Sequence, residues 1–134
     1  MITEIELRSL VWKKIRGSDI KSIINGDVYL QGNRPFNSEK TDIVIAGLTA
    51  SNFSVIPATI LVQIFAKNIQ SNGNYQPDYK TLNNATKYII SLFDDIYFPD
   101  TKTNIDYESS NSYQVEGVQE WVSVIRLKTR TINF

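Results

Sequence analysis

Apolar residues recur at helical spacing near the start of the chain. One apolar stripe consists of Leu7, Leu10, Val11 and Ile15. Thr3 and Glu6 have the spacing of a capping box, in which each side chain accepts a hydrogen bond from the other residue's backbone N–H. This pattern predicts an amphipathic helix over residues 3–15. Gly17 is a natural stop for it.

A second stretch with helical periodicity begins at Asp78, directly after Pro77. Its apolar face consists of Leu82, Ala85, Ile89, Leu92 and Phe93. Asp78 can cap the first turn, where a negative charge is favoured. The pattern therefore predicts a second helix over residues 78–94.

The clearest strand signal is the alternation between Val55 and Lys67. The face expected to point inward consists of Ala58, Ile60, Val62, Ile64 and Ala66. This face is wholly apolar and the opposite face is mixed, so the strand should pack against the core on one side. Shorter β-prone segments at residues 27–31 and 42–48 predict two earlier strands, and residues 49–54 read as a turn.

The C-terminal part of the chain is also β-prone. Residues 104–116 predict a weak, polar strand that could be an edge hairpin, and residues 121–134 predict a strong one. The expected inward positions of the last strand change parity, since they are Trp121, Ile125 and Leu127 and then Ile132 and Phe134. That change predicts a bulge or a bend in this strand.

These elements predict one α+β domain over residues 1–134. The predicted order is helix, three strands, helix, two strands, with no internal repeat. Because neighbouring strands are joined by short connections, we expect a mostly antiparallel sheet with the two helices packed on one face. The polar stretch 70–76 is expected to be a loop around Gly73.

The polar segment 32–41 interrupts the early strands and is predicted to be an exposed arm or a long hairpin loop. Its candidate contact residues are Arg34, Pro35, Phe36, Asn37 and Ser38. A loop with an apolar anchor can dock into a neighbouring subunit. A mobile hairpin tip is the equal alternative. Trp12 borders the stripe of the first helix and is a candidate for the core edge or a subunit interface.

Composition excludes several kinds of chemistry. The chain has no Cys and no His, and Lys plus Arg equals Asp plus Glu at 14 each. Cysteine nucleophiles, disulfides and imidazole-based proton transfer are therefore impossible. The chain also lacks the overall basic excess that would indicate nucleic-acid binding. No pair of glycines has the spacing of a phosphate-binding turn. The longest apolar stretch, residues 55–66, is too short and too polar to span a membrane.

Two clusters leave other roles open. The acidic residues are Asp94, Asp95, Asp100, Asp106 and Glu108, and they could form a calcium site, a general acid–base pair or a solvated loop. The aromatic residues Tyr97, Phe98, Tyr107 and Tyr113 could stack on a ligand or pack the loop onto the sheet.

Four short motifs together resemble one family. They are Gly26-Asp27-Val28-Tyr29, Arg34-Pro35 with Asn37-Ser38, Asp42-Ile43-Val44-Ile45, and Gln76-Pro77-Asp78-Tyr79 at the start of the second helix. With the β-rich C-terminus they resemble the small tail-completion or tail-terminator proteins of tailed phages and prophages, in particular those of Bacteroides-type hosts. The resemblance extends from about Ile2 to Phe134.

The resemblance implies a non-enzymatic virion structural protein without a cofactor. Such subunits have a small antiparallel sheet flanked by helices and form a ring, commonly six-fold, that caps the tail tube and meets the head connector. The implied partners are other copies of the chain, the tail tube and the connector, with nucleic acid only in passage through the ring and no membrane. The implied location is the virion, assembled in the bacterial cytoplasm. The arm at 34–38 would be a place for these contacts.

Two other classes remain as alternatives. One is a monomeric module that binds a carbohydrate or a peptide through the aromatic loop 97–113. The other is a small enzyme that uses two carboxylates, as in glycoside hydrolysis.

Overall fold

The computed structural model describes residues 2–50 and 55–132. The two helices are α1 (Glu4–Arg16) and α2 (Tyr79–Leu92), and a short 3₁₀ helix covers Asp19–Ser22. The eight strands are β1 (Val28–Leu30), β2 (Asp42–Ala50), β3 (Val55–Lys67), β4 (Ile69–Ser71), β5 (Asn74–Gln76), β6 (Ile96–Phe98), β7 (Thr103–Gln114) and β8 (Glu120–Ile132).

Six strands form the main sheet in the order β1-β2-β3-β8-β7-β6. All neighbours are antiparallel except β1 and β2, which run parallel. The fold is α+β with a mostly antiparallel sheet, as predicted. Strands β4 and β5 form a separate two-stranded hairpin.

Both helices begin where their capping residues predict. In α1, the Glu6 N–H donates to Thr3 Oγ1 at 3.1 Å and the Thr3 N–H donates to Glu6 Oε1 at 3.2 Å, so the capping box is confirmed. In α2, Asp78 is the N-cap and accepts a hydrogen bond from the Thr81 N–H at 3.3 Å. Each cap satisfies backbone donors that have no partner inside the helix.

The core lies between the helices and one face of the sheet. Helix α1 contributes Leu7, Val11 and Ile15, and helix α2 contributes Leu82, Ala85 and Ile89. Every residue of the inward face predicted for β3 is buried, from Ala58 to Ala66. The alternation predicted from sequence and the shared helix face are therefore both confirmed.

The bulge lies in a different strand from the one predicted. Strand β8 pairs with β3 in one unbroken register from Glu120 to Ile132, whereas β7 shifts register between Tyr107 and Ser109. The prediction for β8 was wrong because Thr129 and Thr131 continue its inward face. Their hydroxyls have partners there, since Thr129 Oγ1 donates to the Ala58 carbonyl at 3.2 Å and Thr131 Oγ1 lies 2.7 Å from Thr103 Oγ1.

Three local features differ from the sequence prediction. The segment 32–41 is not a hairpin loop, because it joins two parallel strands. The stretch 70–76 is a hairpin whose turn residues Asn72 and Gly73 have φ of 52° and 81°, which suits a tight two-residue turn. Strand β6 was not predicted. Phe134 and most of the predicted turn at 49–54 lie outside the described residues.

Candidate assembly interface

Arg34 holds the arm, residues 32–41, against the outer face of the sheet, opposite the helices. Its Nη2 lies 2.8 Å from Glu120 Oε2, and its Nε lies 3.0 Å from Asp42 Oδ2. Both carboxylates are almost completely buried. The guanidinium also lies 4.6 Å from the centroid of the Phe65 ring. The arm is therefore fixed to β2, β3 and β8 and is not a free loop at this residue.

This ion-pair cluster keeps Arg34 charged. Burial by itself lowers the pKa of the guanidinium, but the hydrogen bonds that it donates to Glu120 and Asp42, with their negative charges, outweigh burial and raise the pKa above its ordinary value. A planar donor that contacts two carboxylates suits Arg and not Lys. The cluster joins the arm and the start of β2 to Glu120 at the start of β8, 86 positions from Arg34 in sequence.

Asp42 receives several other contacts beside Arg34. Its carboxylate accepts hydrogen bonds from the Ser38 hydroxyl and from the Asp27 N–H, the latter at 3.0 Å. Gly26 is required next to it, because a Cβ at that position would overlap both the Asp42 carboxylate and the Thr41 carbonyl oxygen. Both ends of the arm are thus anchored around one buried carboxylate.

The tip of the arm presents Phe36 to solvent. Its ring is fully exposed, at 106% of the reference area. The flanking Pro35 and Asn37 are exposed as well, and the Ser38 N–H closes the tip by donating to the Pro35 carbonyl at 3.2 Å. A large apolar side chain on an anchored segment is the usual form of an interface anchor, because little entropy is lost when it docks.

Trp12 is not close in sequence to the arm but lies against the strand that precedes it. Its indole N–H donates to the Val28 carbonyl at 2.9 Å, and Arg16 lies over its ring at 5.1 Å from the centroid. The side chain is half-buried. Trp12 therefore caps the outer edge of β1 from helix α1.

Asp27 covers the same edge of β1, where it binds the Val28 N–H while Trp12 binds the Val28 carbonyl. Its Oδ1 accepts the Val28 N–H at 2.7 Å and lies 3.2 Å from Lys21 Nζ. Burial raises the pKa of Asp27, but the Val28 hydrogen bond and the charges of Lys21 and Arg16 outweigh it and hold the pKa below its usual value. The Asn33 N–H donates a hydrogen bond at 3.0 Å to the Leu30 carbonyl, the next β1 carbonyl that points away from β2. The β1 edge is thereby closed to further strands.

The structure does not gather the four aromatic residues of 97–113 into one surface. Tyr97 pairs with Asn104 in the sheet, whereas Tyr113 pairs with Val122. Asn104 and Tyr113 lie nine positions apart along β7, which corresponds to about 30 Å. Phe98 and Tyr107 are half-buried against the core. A single aromatic ligand site along this segment has no geometric basis.

The acidic residues near the end of α2 are used in local structure. Asp106 Oδ1 accepts the Asp95 N–H at 3.0 Å, and Asn104 Nδ2 donates to Asp95 Oδ1 at 2.8 Å. Within residues 2–50 and 55–132, no group of three or more acidic side chains is arranged to hold a metal ion. Over the same residues, no helix has the length and apolar character needed to cross a bilayer.

Sequence reasoning missed that exposed apolar residues collect at one end of the sheet. The register aligns Asp42, Phe65, Val122 and Tyr113 in one row across four strands. The arm, the β4–β5 hairpin and the β7–β8 turn all emerge at this end. The exposed apolar side chains on these segments are Phe36, Ile69, Tyr75, Tyr113 and Val118. Their placement at the same end follows from the order and register of the strands, which pattern reasoning did not supply.

Comparisons with known proteins establish the fold. No protein-family model and no curated protein matches the sequence. Among solved structures, the chain is similar to one in the "Virion of native gene transfer agent (GTA) particle". The similarity covers 93% of each chain with a TM-score of 0.71 and 10% sequence identity. At this level of identity, the finding is that the two chains share a fold over nearly their whole lengths.

Proposed function

We propose that this protein is a non-enzymatic structural protein of a phage-like virion. More specifically, we propose a tail terminator or head–tail completion subunit that forms a ring at the head-proximal end of a tail. The observation that carries the proposal is the shared fold with a chain of the gene transfer agent virion, over 93% of both chains. The motif resemblance to tail-completion proteins of phages and prophages supports the same role.

The anchored arm supports an assembly role for this fold. A monomer has no evident use for a fully exposed Phe36 held in place by two buried ion pairs. A subunit that must insert a side chain into a neighbour gains from such an arrangement, because the segment is ordered before binding. In the proposed role the arm at 34–38 contacts another copy of the chain or the tail tube, and Trp12 supports the strand from which the arm starts.

The partners follow from this role. They are further copies of the chain in a ring, the tail tube, and the head connector. Nucleic acid meets the protein only while it passes through the ring, which agrees with 14 basic and 14 acidic residues. The ring is assembled in the host cytoplasm and is then part of the virion.

The test is the solution mass of the purified protein by light scattering, from dilute samples to roughly 1 mM, the upper range of weak specific association. We expect a rise from 15.3 kDa to a fixed multiple of that mass. A mass of 15.3 kDa at every concentration would count against a self-assembling ring subunit.

A further inference from the structure

Half of strand β7 has no strand on its outer side among residues 2–50 and 55–132. Strand β6 pairs with β7 only between Thr103 and Ile105, and the Tyr107 N–H donates to the Phe93 carbonyl at 3.0 Å. Beyond Tyr107, β7 pairs with β8 on one side as far as Gln114. No described strand pairs with it on the other side. The far half of β7 is therefore an open edge of the main sheet.

The register shows which backbone groups this edge offers. The Tyr107 N–H points away from β8, and the bulge that follows shifts the pattern by one residue. After the bulge, the Val115 N–H points toward β8, where it donates to the Glu120 carbonyl at 2.8 Å. Since orientation alternates along a strand, the N–H and C=O groups of Ser110, Ser112 and Gln114 point outward. They form the row of donors and acceptors that an added strand requires.

Apart from the bulge between Tyr107 and Ser109, this edge lacks the protection that exposed sheet edges usually carry. Residues 109–114 include no charged residue and no proline, the two features that commonly prevent edge-to-edge pairing. The opposite edge of the same sheet is capped by Trp12, Asp27 and Asn33. One edge is thus closed and the other is left available for pairing.

A groove beside the open edge has room for an added strand. It lies between α2 and the far half of β7 and has a volume of about 630 Å³. Most of its walls carry small hydroxyl or amide side chains, among them Asn83, Thr86, Ser110 and Ser112, and Tyr79, Leu82 and the charged Lys80 line it as well. An incoming strand would place alternate side chains in this groove, and a lining of this kind suits uncharged side chains, both polar and apolar.

The chain carries a segment that matches this description. The β4–β5 hairpin is uncharged from Ile69 to Gln76, nearly all of it is exposed, and Ile69 and Tyr75 are among its exposed side chains. It pairs with no other strand of the described chain. A two-stranded hairpin alone is marginally stable in water, so this one gains stability by joining a larger sheet.

We propose that the β4–β5 hairpin of one copy adds to the open β7 edge of a second copy and extends its sheet. The inference deepens the proposed function and rests on it, since it names the contact that joins subunits. The two surfaces are different parts of the chain, so the contact is head-to-tail. Such contacts repeat around a closed ring when the rotation between neighbouring subunits allows closure. In a dimer, one such contact would leave one hairpin and one β7 edge unused.

Cross-linking between single-cysteine variants tests the contact, because the chain has no native cysteine. Gln70→Cys lies in β4 and Ser112→Cys lies on the open edge. A mixture of the two at roughly 1 mM, treated with a bismaleimide, should give covalent dimers, whereas each variant alone should give few. Lys87→Cys, exposed on α2, replaces Gln70→Cys in the matched control. A yield for the Gln70 mixture no higher than for this control would overturn the proposal.

A proline on the edge provides a second readout. Ser112→Pro removes an outward N–H and leaves the β7–β8 hydrogen bonds intact, a position at which edge strands accept proline. We expect a folded protein whose self-association is weaker by roughly tenfold or more. Ser112→Ala keeps the N–H and should assemble like the parent. Equal assembly of the proline variant and the parent would overturn the proposal.

The results separate this proposal from the proposed function. A parent that forms assemblies without the Gln70–Ser112 cross-link leaves the ring role in place and rejects the hairpin contact. Loss of assembly in Ser112→Pro without that cross-link also rejects it, since another strand would then occupy the edge. A parent that neither assembles nor cross-links rejects both proposals.

Discussion

Arg34 and Glu120 are 86 positions apart in the sequence and form a two-pronged ion pair. Arg34 Nη1 and Nη2 lie 3.3 and 2.8 Å from the two carboxylate oxygens of Glu120. The pair spans from the β1–β2 connection to the start of β8, with β3 between them. The pair anchors the polar arm to the sheet two residues before Phe36. Loss of the pair should therefore affect both the stability of the sheet and the position of Phe36.

Removal of the Arg34 charge should destabilise the protein strongly. Arg34→Met leaves Asp42 buried without a cation and Glu120 with only the Lys67 ammonium at 3.9 Å, which should lower the free energy of unfolding by about 3 kcal/mol. Urea denaturation measures this change. In the double variant Arg34→Met with Glu120→Gln, one of the unpaired charges is gone, so the combined loss should be smaller than the sum of the single losses. Additive losses would contradict the ion pair.

Phe36 should matter for assembly and not for folding. Because its ring is fully exposed, Phe36→Asp should change the free energy of unfolding by no more than about 0.5 kcal/mol. Self-association should weaken by roughly 10- to 100-fold, the range for loss of an interface anchor. Asn37→Asp adds the same charge at the next position and keeps the ring, so it is the matched control. If both variants assemble like the parent, the arm tip is not an interface.

Asp27 should make stability depend on pH in the acidic range. Its folded pKa lies below the ordinary value of 3.8, so its ionised form stabilises the protein above that pH. This contribution is lost as the pH falls through the folded pKa, where both states become protonated. Asp27→Asn should be less stable than the parent at neutral pH, by about 0.5 kcal/mol.

Denaturation of the parent and of Asp27→Asn from about pH 6 to pH 2 tests this directly. The two stability curves should converge at the acidic end, because the parent loses the charge that distinguishes it from the variant. A constant difference over the whole range would contradict a lowered pKa for Asp27.

Gly26 should tolerate no side chain. Gly26→Ala places a methyl group into the Thr41 carbonyl and the Asp42 carboxylate, and we expect a loss of about 2 kcal/mol. Gly32→Ala is the comparison, because a Cβ there has nothing within 4 Å and the cost is limited to its positive φ, about 1 kcal/mol. Thermal or urea unfolding ranks the two. A Gly26→Ala variant as stable as Gly32→Ala would contradict the close approach.

Local signals in the sequence were sufficient for much of the fold. The capping residues Thr3 and Asp78 and the alternation along β3 act within a few residues, and each predicted its element correctly. The parallel pairing of β1 with β2 was missed because it depends on contacts across the arm. The position of the bulge was missed because threonine hydroxyls that find partners can occupy an inward face.

The candidate site was predicted in outline and not in its mechanism. The sequence pointed to the segment 34–38, but a charged residue in a polar loop reads as solvent-exposed. Asp42 and Glu120 at the starts of two strands were the available signal, since an acid at a strand position next to apolar neighbours needs a cation. Which cation pairs with these two acids depends on the register of the sheet, and the register is a tertiary property.

The most direct test of the central claim is electron microscopy of the protein at the highest concentration it tolerates, with Phe36→Asp prepared in parallel. The account predicts closed rings with one copy number for the parent and few or none for the variant. Dispersed monomers in the parent sample, or open filaments of indefinite length, would contradict a ring-forming virion subunit.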